Sequence, residues 1–390
     1  MRTGLERLLA QPQRWLRNAR VGLVANPTSV DQDLGHAADR MHQHPDIDLR
    51  LLFGPEHGLR GAAQDMVHVT DARDPVTGLP EISLYGTTFA SLSPTPAQLA
   101  QIDVLVFDIQ DIGTRYYTYA ATMALCMRAA KPAGVKVVVL DRPNPIGGVQ
   151  IEGGGLDPGL ENFCGLYPVP QRHALTLAEL ARLYNEPFGI GCDLEVVACE
   201  GWRRAQYYDA CGLPWVMPSP NMPTLDTAIV YPGMCLLEGT NLSEGRGTTR
   251  PFEVFGAPFL DGRRLAEELR DYALPGVRFR PCVIEPTFHK FARQRCGAVQ
   301  LHISDRYAFQ SYRTGLAVLV AVKKLWPDQF RWREQPYEFR DDVPAIDLLT
   351  GRAAVREAIE RGEDLDHVMR IATGGLEAYT AGRSRALLYD

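Results

Sequence analysis

Four short apolar runs, Val21–Ala25, Leu49–Phe53, Val104–Ile109 and Val137–Leu140, constrain the fold of this chain more than any other feature. They are rich in β-branched and aliphatic residues and shorter than an ordinary helix. None alternates with polar residues, so both faces of each strand are expected to be covered, as in a parallel sheet flanked by helices. Segments of helical character lie between them. The clearest is Tyr117–Ala130, with Ala120, Met123, Ala124 and Met127 on one face; Lys131-Pro132 is expected to stop it, and Gly134 follows. The expected class is α/β, with a mainly parallel sheet.

Each run ends in polar, turn-forming residues: Asn26-Pro27-Thr28-Ser29, then Gly54-Pro55-Glu56-His57-Gly58, then Gln110–Arg115, then Asp141-Arg142-Pro143-Asn144-Pro145. Open α/β sheets bind ligands beyond the carboxyl ends of their strands, so these four loops should meet at one rim. Glycines at 147–148 and 153–155 suggest a boundary near residue 150, giving an α/β domain over 1–150 and a mixed α+β domain over 151–390 that completes the cleft. In the second part, Thr176-x-x-Glu179 is a capping box for a helix to about Asn185. Leu194–Ala198 and Val299–Ile303 read as strands, Tyr312–Leu325 and Val355–Met369 as helices, and residues 214–256, dense in Pro and Gly, as a long ordered loop system.

Formal net charge is -6, which argues against nucleic acid or an anionic membrane as the main partner. The longest apolar run, Leu316–Val322, is far too short to span a bilayer. Residues 1–20 mix charge and apolar residues without an export signal's apolar stretch, so the expected location is the cytoplasm, or outside the membrane if a leader has been removed. The eight cysteines form no C-x-x-C pair and read as reduced, mostly buried thiols.

Glu56 and His57 are the first candidates for chemistry. An acid boxed in by Gly54, Pro55 and Gly58 loses little entropy on ordering and can sit in a partly desolvated mouth, and desolvation favours the protonated carboxyl that a general acid needs. The competing reading is a local cap. Asp108 and Asp111 come next, with Arg115 able to pair with either or to grip a ligand carboxylate, and Tyr116, Tyr117 and Tyr119 able to face a sugar. The third group is Glu238 and Glu244 in a Gly- and Thr-rich stretch with Asn241, Arg246 and Arg250. There the amides of residues 244–248 are an expected anion-binding concavity. Upstream, the stiff turn Pro218–Pro223 presents Asn221. No G-x-G-x-x-G, Walker, G-x-S-x-G or H-E-x-x-H motif occurs, and a metal site from His57, Asp65, His68, Asp71 and Asp74 has unspecific spacing. No cofactor is expected. A rim of carboxylates, arginines, tyrosines and amides suits glycoside hydrolysis, and equally a sugar-binding module without chemistry. A metal-dependent hydrolase of another small substrate is a third possibility.

The runs VGLVANPTSVD (21–31), LFGPEHGLRG (52–61), TGLPEISLYG (77–86), DVLVFDIQDIGTRYYTYAATM (103–123), VVVLDRPNPIGG (137–148), YPVPQRHALTLAELARLYN (167–185), the long motif at 214–258 and CGAVQLHISDR (296–306) resemble the DUF1343 family. Its characterised members are exo-β-N-acetylmuramidases of the NamZ type. The resemblance implies a Rossmann-like domain joined to a smaller one, with the site in the cleft between them. It implies release of terminal N-acetylmuramic acid (MurNAc) from the non-reducing end of peptidoglycan fragments such as disaccharides or muropeptides. It makes Glu56 the expected catalytic acid, with Asp108, Glu238, Glu244 and Tyr116 as unranked partners. Asn26, His57, Asp111, Arg115, Asn221, Arg246 and Arg250 are expected to bind the substrate. The lactyl carboxylate of MurNAc calls for a cation or a cluster of amides; Arg115, Arg246 and Arg250 are the candidate cations, and Arg115 or Arg246 is the expected contact.

Overall fold

The computed structural model describes residues 1–61 and 72–390. Among them, seven strands form the larger sheet: β1 (Arg20–Ala25), β2 (Asp48–Gly54), β3 (Ala72–Arg73), β4 (Pro80–Ser83), β5 (Val104–Asp108), β6 (Lys136–Leu140) and β7 (Leu194–Val197). Their order is β3-β4-β2-β1-β5-β6-β7. Neighbours are parallel except β3 and β4. The four expected central strands appear with ends shifted by at most one residue. β1 and β5 are buried along nearly their whole length, as two covered faces require. The chain runs outward from β1 to β2 on one side and to β5 on the other, so the crevice beyond β1 and β5 is the topological switch point.

The sheet does not stop at the boundary expected near residue 150, because β7 pairs with β6. Helix Leu177–Asn185, opened by the capping box at Thr176, lies between them in sequence, and the Thr176 hydroxyl donates to Asp141 at the end of β6 at 2.8 Å. Helix Tyr119–Ala133 runs through Lys131-Pro132 and ends at Gly134, φ +65°. A proline in the last turn removes one hydrogen bond, whereas a left-handed glycine ends the helix.

The second sheet is antiparallel, order β8-β10-β9, from β8 (Val254–Ala257), β9 (Val277–Ile284) and β10 (Cys296–Ile303). Residues 214–256 are more regular than expected: they hold helix Leu225–Met234, the 3₁₀ turn Cys235–Gly239 and β8. Pro232 and Gly233 disguise that helix in the sequence. They are tolerated because the helix packs backbone to backbone on helix Ser311–Leu325, where a Cβ on Gly233 or Gly315 would strike the other chain segment. The expected helix Val355–Met369 is two, Ala353–Glu360 and Leu365–Ala372, separated at Gly362, φ +74°. All eight cysteines are free thiols. No helix among the described residues is long and apolar enough to cross a membrane.

Candidate active site

The strand-end loops meet as the topology requires. Ser29 Oγ donates to the Asp108 carbonyl, the Gln110 amide donates to Thr28 Oγ1 at 2.9 Å, and Gln110 Nε2 donates to the Pro143 carbonyl at 2.8 Å. Asn26 is buried and accepts from the Thr28 amide at 2.9 Å, so it shapes the first loop. Asp108 takes a bidentate pair from Arg142 at 2.7 and 2.8 Å, both side chains being buried. It is a strut between the loops after β5 and β6 and does not line the pocket.

A partly enclosed pocket opens beyond this rim. Glu56 and His57 line it from the loop after β2, Tyr116–Thr118 from the loop after β5, and Tyr119 from the first turn of the helix that follows. Ser219, Asn221 and Met222, then Tyr231, Glu238, Arg246 and Phe252, and finally Tyr337 and Glu338 complete it from the later part of the chain.

Glu56 sits in a tight turn in which the Gly58 amide donates to the Pro55 carbonyl at 2.8 Å. The next residue, His57, has φ +73°, a left-handed conformation that seldom suits a side chain. Glu56 is buried, and its Oε2 accepts from the Thr118 hydroxyl at 3.2 Å. The Tyr85 hydroxyl bonds to Glu56 as well; burial, with Glu338 and Glu56 adjoining, pushes that phenol far above its ordinary pKa and keeps it a donor.

On the other wall, Arg246 donates to Glu238 at 2.8 Å and the Tyr337 hydroxyl donates to the same carboxylate at 2.7 Å. The Arg246 guanidinium lies 5.2 Å from the Phe252 ring centre. Tyr231 stands edge-on to Phe252 at 4.7 Å and to Tyr117 at 5.7 Å, so an aromatic surface adjoins the acids. Glu244 lies behind this wall, fully buried, with Lys290 at 3.0 Å and Arg246 and His289 at 3.3 Å. Burial would raise its pKa, but Lys290, His289 and Arg246 outweigh burial and hold the carboxyl well below the usual range. It pairs with Arg246 and so positions it, and it is absent from the pocket lining. The expected anion concavity at 244–248 is partly spent internally, since the Thr248 amide donates to the Gly245 carbonyl at 3.0 Å.

Other expected residues fall outside the pocket lining. Arg115 is buried and donates to the carbonyls of Val169 at 3.2 Å and Leu349 at 2.7 Å, which ties two distant segments together. Asp111 accepts from the Gly113 amide at 2.6 Å and faces His173 at 3.3 Å. Arg250, half exposed, pairs with Glu253 at 3.1 Å, and Asn241 donates to the Gln329 carbonyl at 2.9 Å. Tyr116 lines the pocket, yet its hydroxyl donates to the Pro232 carbonyl. Asp65, His68 and Asp71 of the conceivable metal set lie outside the described residues, and Asp74 is bound to Arg60 at 2.9 Å. Sequence reasoning missed Tyr85, Thr118, Tyr231, Tyr337 and Glu338. Tyr85, Thr118 and Tyr231 stood inside runs already singled out, whereas Tyr337 and Glu338 stood in none.

Comparison with known proteins agrees with this architecture. Residues 21–226 match the N-terminal part, and residues 229–389 the C-terminal part, of the family described as exo-β-N-acetylmuramidase NamZ. The chain is 43% identical over 389 residues to the peptidoglycan β-N-acetylmuramidase NamZ of Bacillus subtilis (strain 168), covering 100% of this chain and 91% of that protein. It is similar to two crystal structures of DUF1343 family proteins from Bacteroides fragilis. One has a TM-score of 0.90 at 35% identity and the other 0.75 at 29%, each match covering 100% of this chain and 99% of the other. Matched from end to end by both parts of the family and by a curated relative, the chain belongs to the NamZ exo-β-N-acetylmuramidase family.

Proposed function

We propose that this chain hydrolyses the glycosidic bond of a terminal MurNAc residue at the non-reducing end of soluble peptidoglycan fragments, with Glu56 as the general acid. The observation that carries the reading is the pocket itself: a buried glutamate, hydroxyls and an aromatic surface, in a chain related over its whole length to a peptidoglycan β-N-acetylmuramidase. Glu56 gives its proton to the leaving oxygen as the bond from that oxygen to the anomeric carbon breaks. One water then completes the hydrolysis, its hydroxyl joining the anomeric carbon and its remaining proton restoring the Glu56 carboxyl. Thr118 and Tyr85 orient the carboxyl. Glu238 is the pocket carboxylate among the earlier partner candidates, and its ties to Arg246 and Tyr337 make it a binding and charge-balancing group. Of Arg115, Arg246 and Arg250, Arg246 lines the pocket and is the cation we assign to the lactyl carboxylate.

The test is turnover of a chromogenic β-MurNAc glycoside and its β-GlcNAc counterpart, with and without chelator. Release from the muramoside alone, unaffected by chelation, supports the proposal. Binding without turnover favours a sugar-binding protein, and activity lost on chelation and restored by metal favours a metal-dependent hydrolase.

A further inference from the structure

Tyr337 and Arg340 exchange both backbone hydrogen bonds, at 2.9 and 3.0 Å, and so close a two-residue turn. The central residues, Glu338 and Phe339, have φ of +46° and +64°. A turn with both central residues at positive φ normally takes Asn-Gly or Gly-Gly, which enter the left-handed region at little steric cost. Ordinary side chains there are strained and persist where the surroundings hold them.

Packing explains Phe339. Its ring meets Tyr85 at 5.9 Å, Phe163 at 6.0 Å and Phe89 at 6.4 Å, all close to edge-on. The stem is fixed too: Tyr337 donates to Glu238, and Arg340 donates to the Glu161 carbonyl at 3.0 Å. Between these anchors Glu338 is buried and lines the same pocket as Glu56. Burial first, and then Glu338 and Glu56, push the pKa of the Tyr85 phenol up, so both carboxylates adjoin that hydroxyl. A turn needing only a buried ring and a bonded stem would accept glycine or asparagine at position 338 with less strain.

Resting on the muramidase reading, we infer that Glu338 is the second carboxylate of the reaction, an anion facing the positive charge that builds on the anomeric carbon as the bond to the leaving oxygen lengthens. Glycoside hydrolysis through an oxocarbenium-like transition state calls for such a partner to the acid. Because the charge exists only in the transition state, removing the anion should lower kcat and leave KM nearly unchanged.

Three variants test this on the β-MurNAc glycoside. Glu338→Gln removes the charge and keeps the shape; Glu338→Asn removes the charge and suits the turn; Glu338→Gly leaves a gap at the tip. The expected result is a fall in kcat of ~10²–10³-fold in all three with KM within about threefold. The Tm of the Asn and Gly variants should be unchanged or higher, as relief of left-handed strain predicts. Formate or azide should restore part of the turnover of the Gly variant and none of the Gln variant. A Gln variant whose kcat stays within about threefold of the unaltered chain overturns the assignment. So does a loss that follows a lowered Tm in the Asn variant and ignores added anion. An unaltered chain with no turnover overturns the muramidase reading itself, which an active chain with an active Gln variant leaves standing.

Discussion

The turns at Pro55–Gly58 and Tyr337–Arg340 each carry a glutamate beside or within left-handed backbone, but they are held in different ways. The first continues directly from β2, which is paired on both sides by β1 and β4, and positive φ falls on His57 and Gly58 while the acid is spared. The second has no strand beneath it. Positive φ falls on the acid itself, and an aromatic cluster and two polar anchors hold the turn. The sheet therefore places Glu56 by covalent continuity, whereas Glu338 depends on packing. Glu244 shows a third way to hold an acid, between the cations of Arg246 and Lys290 and beside the His289 ring.

That contrast predicts different sensitivities. The largest effect on stability belongs to Glu244→Gln. Removing this carboxylate leaves Arg246, Lys290 and His289 without their shared anion, and breaking a buried pair of this kind costs about 3–5 kcal/mol. A thermal or urea melt measures it. The pH dependence has a definite sign. The folded carboxyl titrates below its ordinary 4.5, so its stabilisation is fully present above that value and disappears as pH falls through the lower folded value. Melts of the Gln variant should lose that part of the acid sensitivity, and an unchanged profile would remove Glu244 from the account.

Phe339→Ala comes next. The ring is partly buried among three aromatics, and its loss should cost about 2–3 kcal/mol, less than a fully buried phenylalanine. The change should also lower kcat, because it frees the turn that carries Glu338. A variant as stable and active as the unaltered chain would show that packing does not position this turn. The smallest effect is expected for Arg250→Ala. That side chain is half exposed and its pair with Glu253 lies outside the pocket lining, so stability should move by less than about 0.5 kcal/mol. The MurNAc preference should stay intact; a loss of it would move the lactyl contact from Arg246 to Arg250.

The same contrast explains how much was legible in the sequence. The sheet and its rim follow from near-continuous apolar runs that end in turn residues, and Gly-Pro-Glu-His-Gly announces a turn with an acid in it. Glu338 carries no such signal. Its turn lacks the Asn or Gly that marks the type, and the neighbours that give it meaning, Tyr85 and Phe163, lie far away in sequence. Asp108 and Arg115 read as site residues because strand-end polar groups usually are. Their partners, Arg142 and the carbonyls of Val169 and Leu349, come from segments that local spacing cannot bring together.

The central claim is that the glutamate at the end of β2 supplies the proton. Its most direct test is the kinetics of Glu56→Gln on a β-MurNAc glycoside, with the melt recorded alongside. The account predicts a fall in kcat of ~10²–10⁴-fold, KM within about threefold and an unchanged melt. A Gln variant that turns over at the rate of the unaltered chain would contradict it.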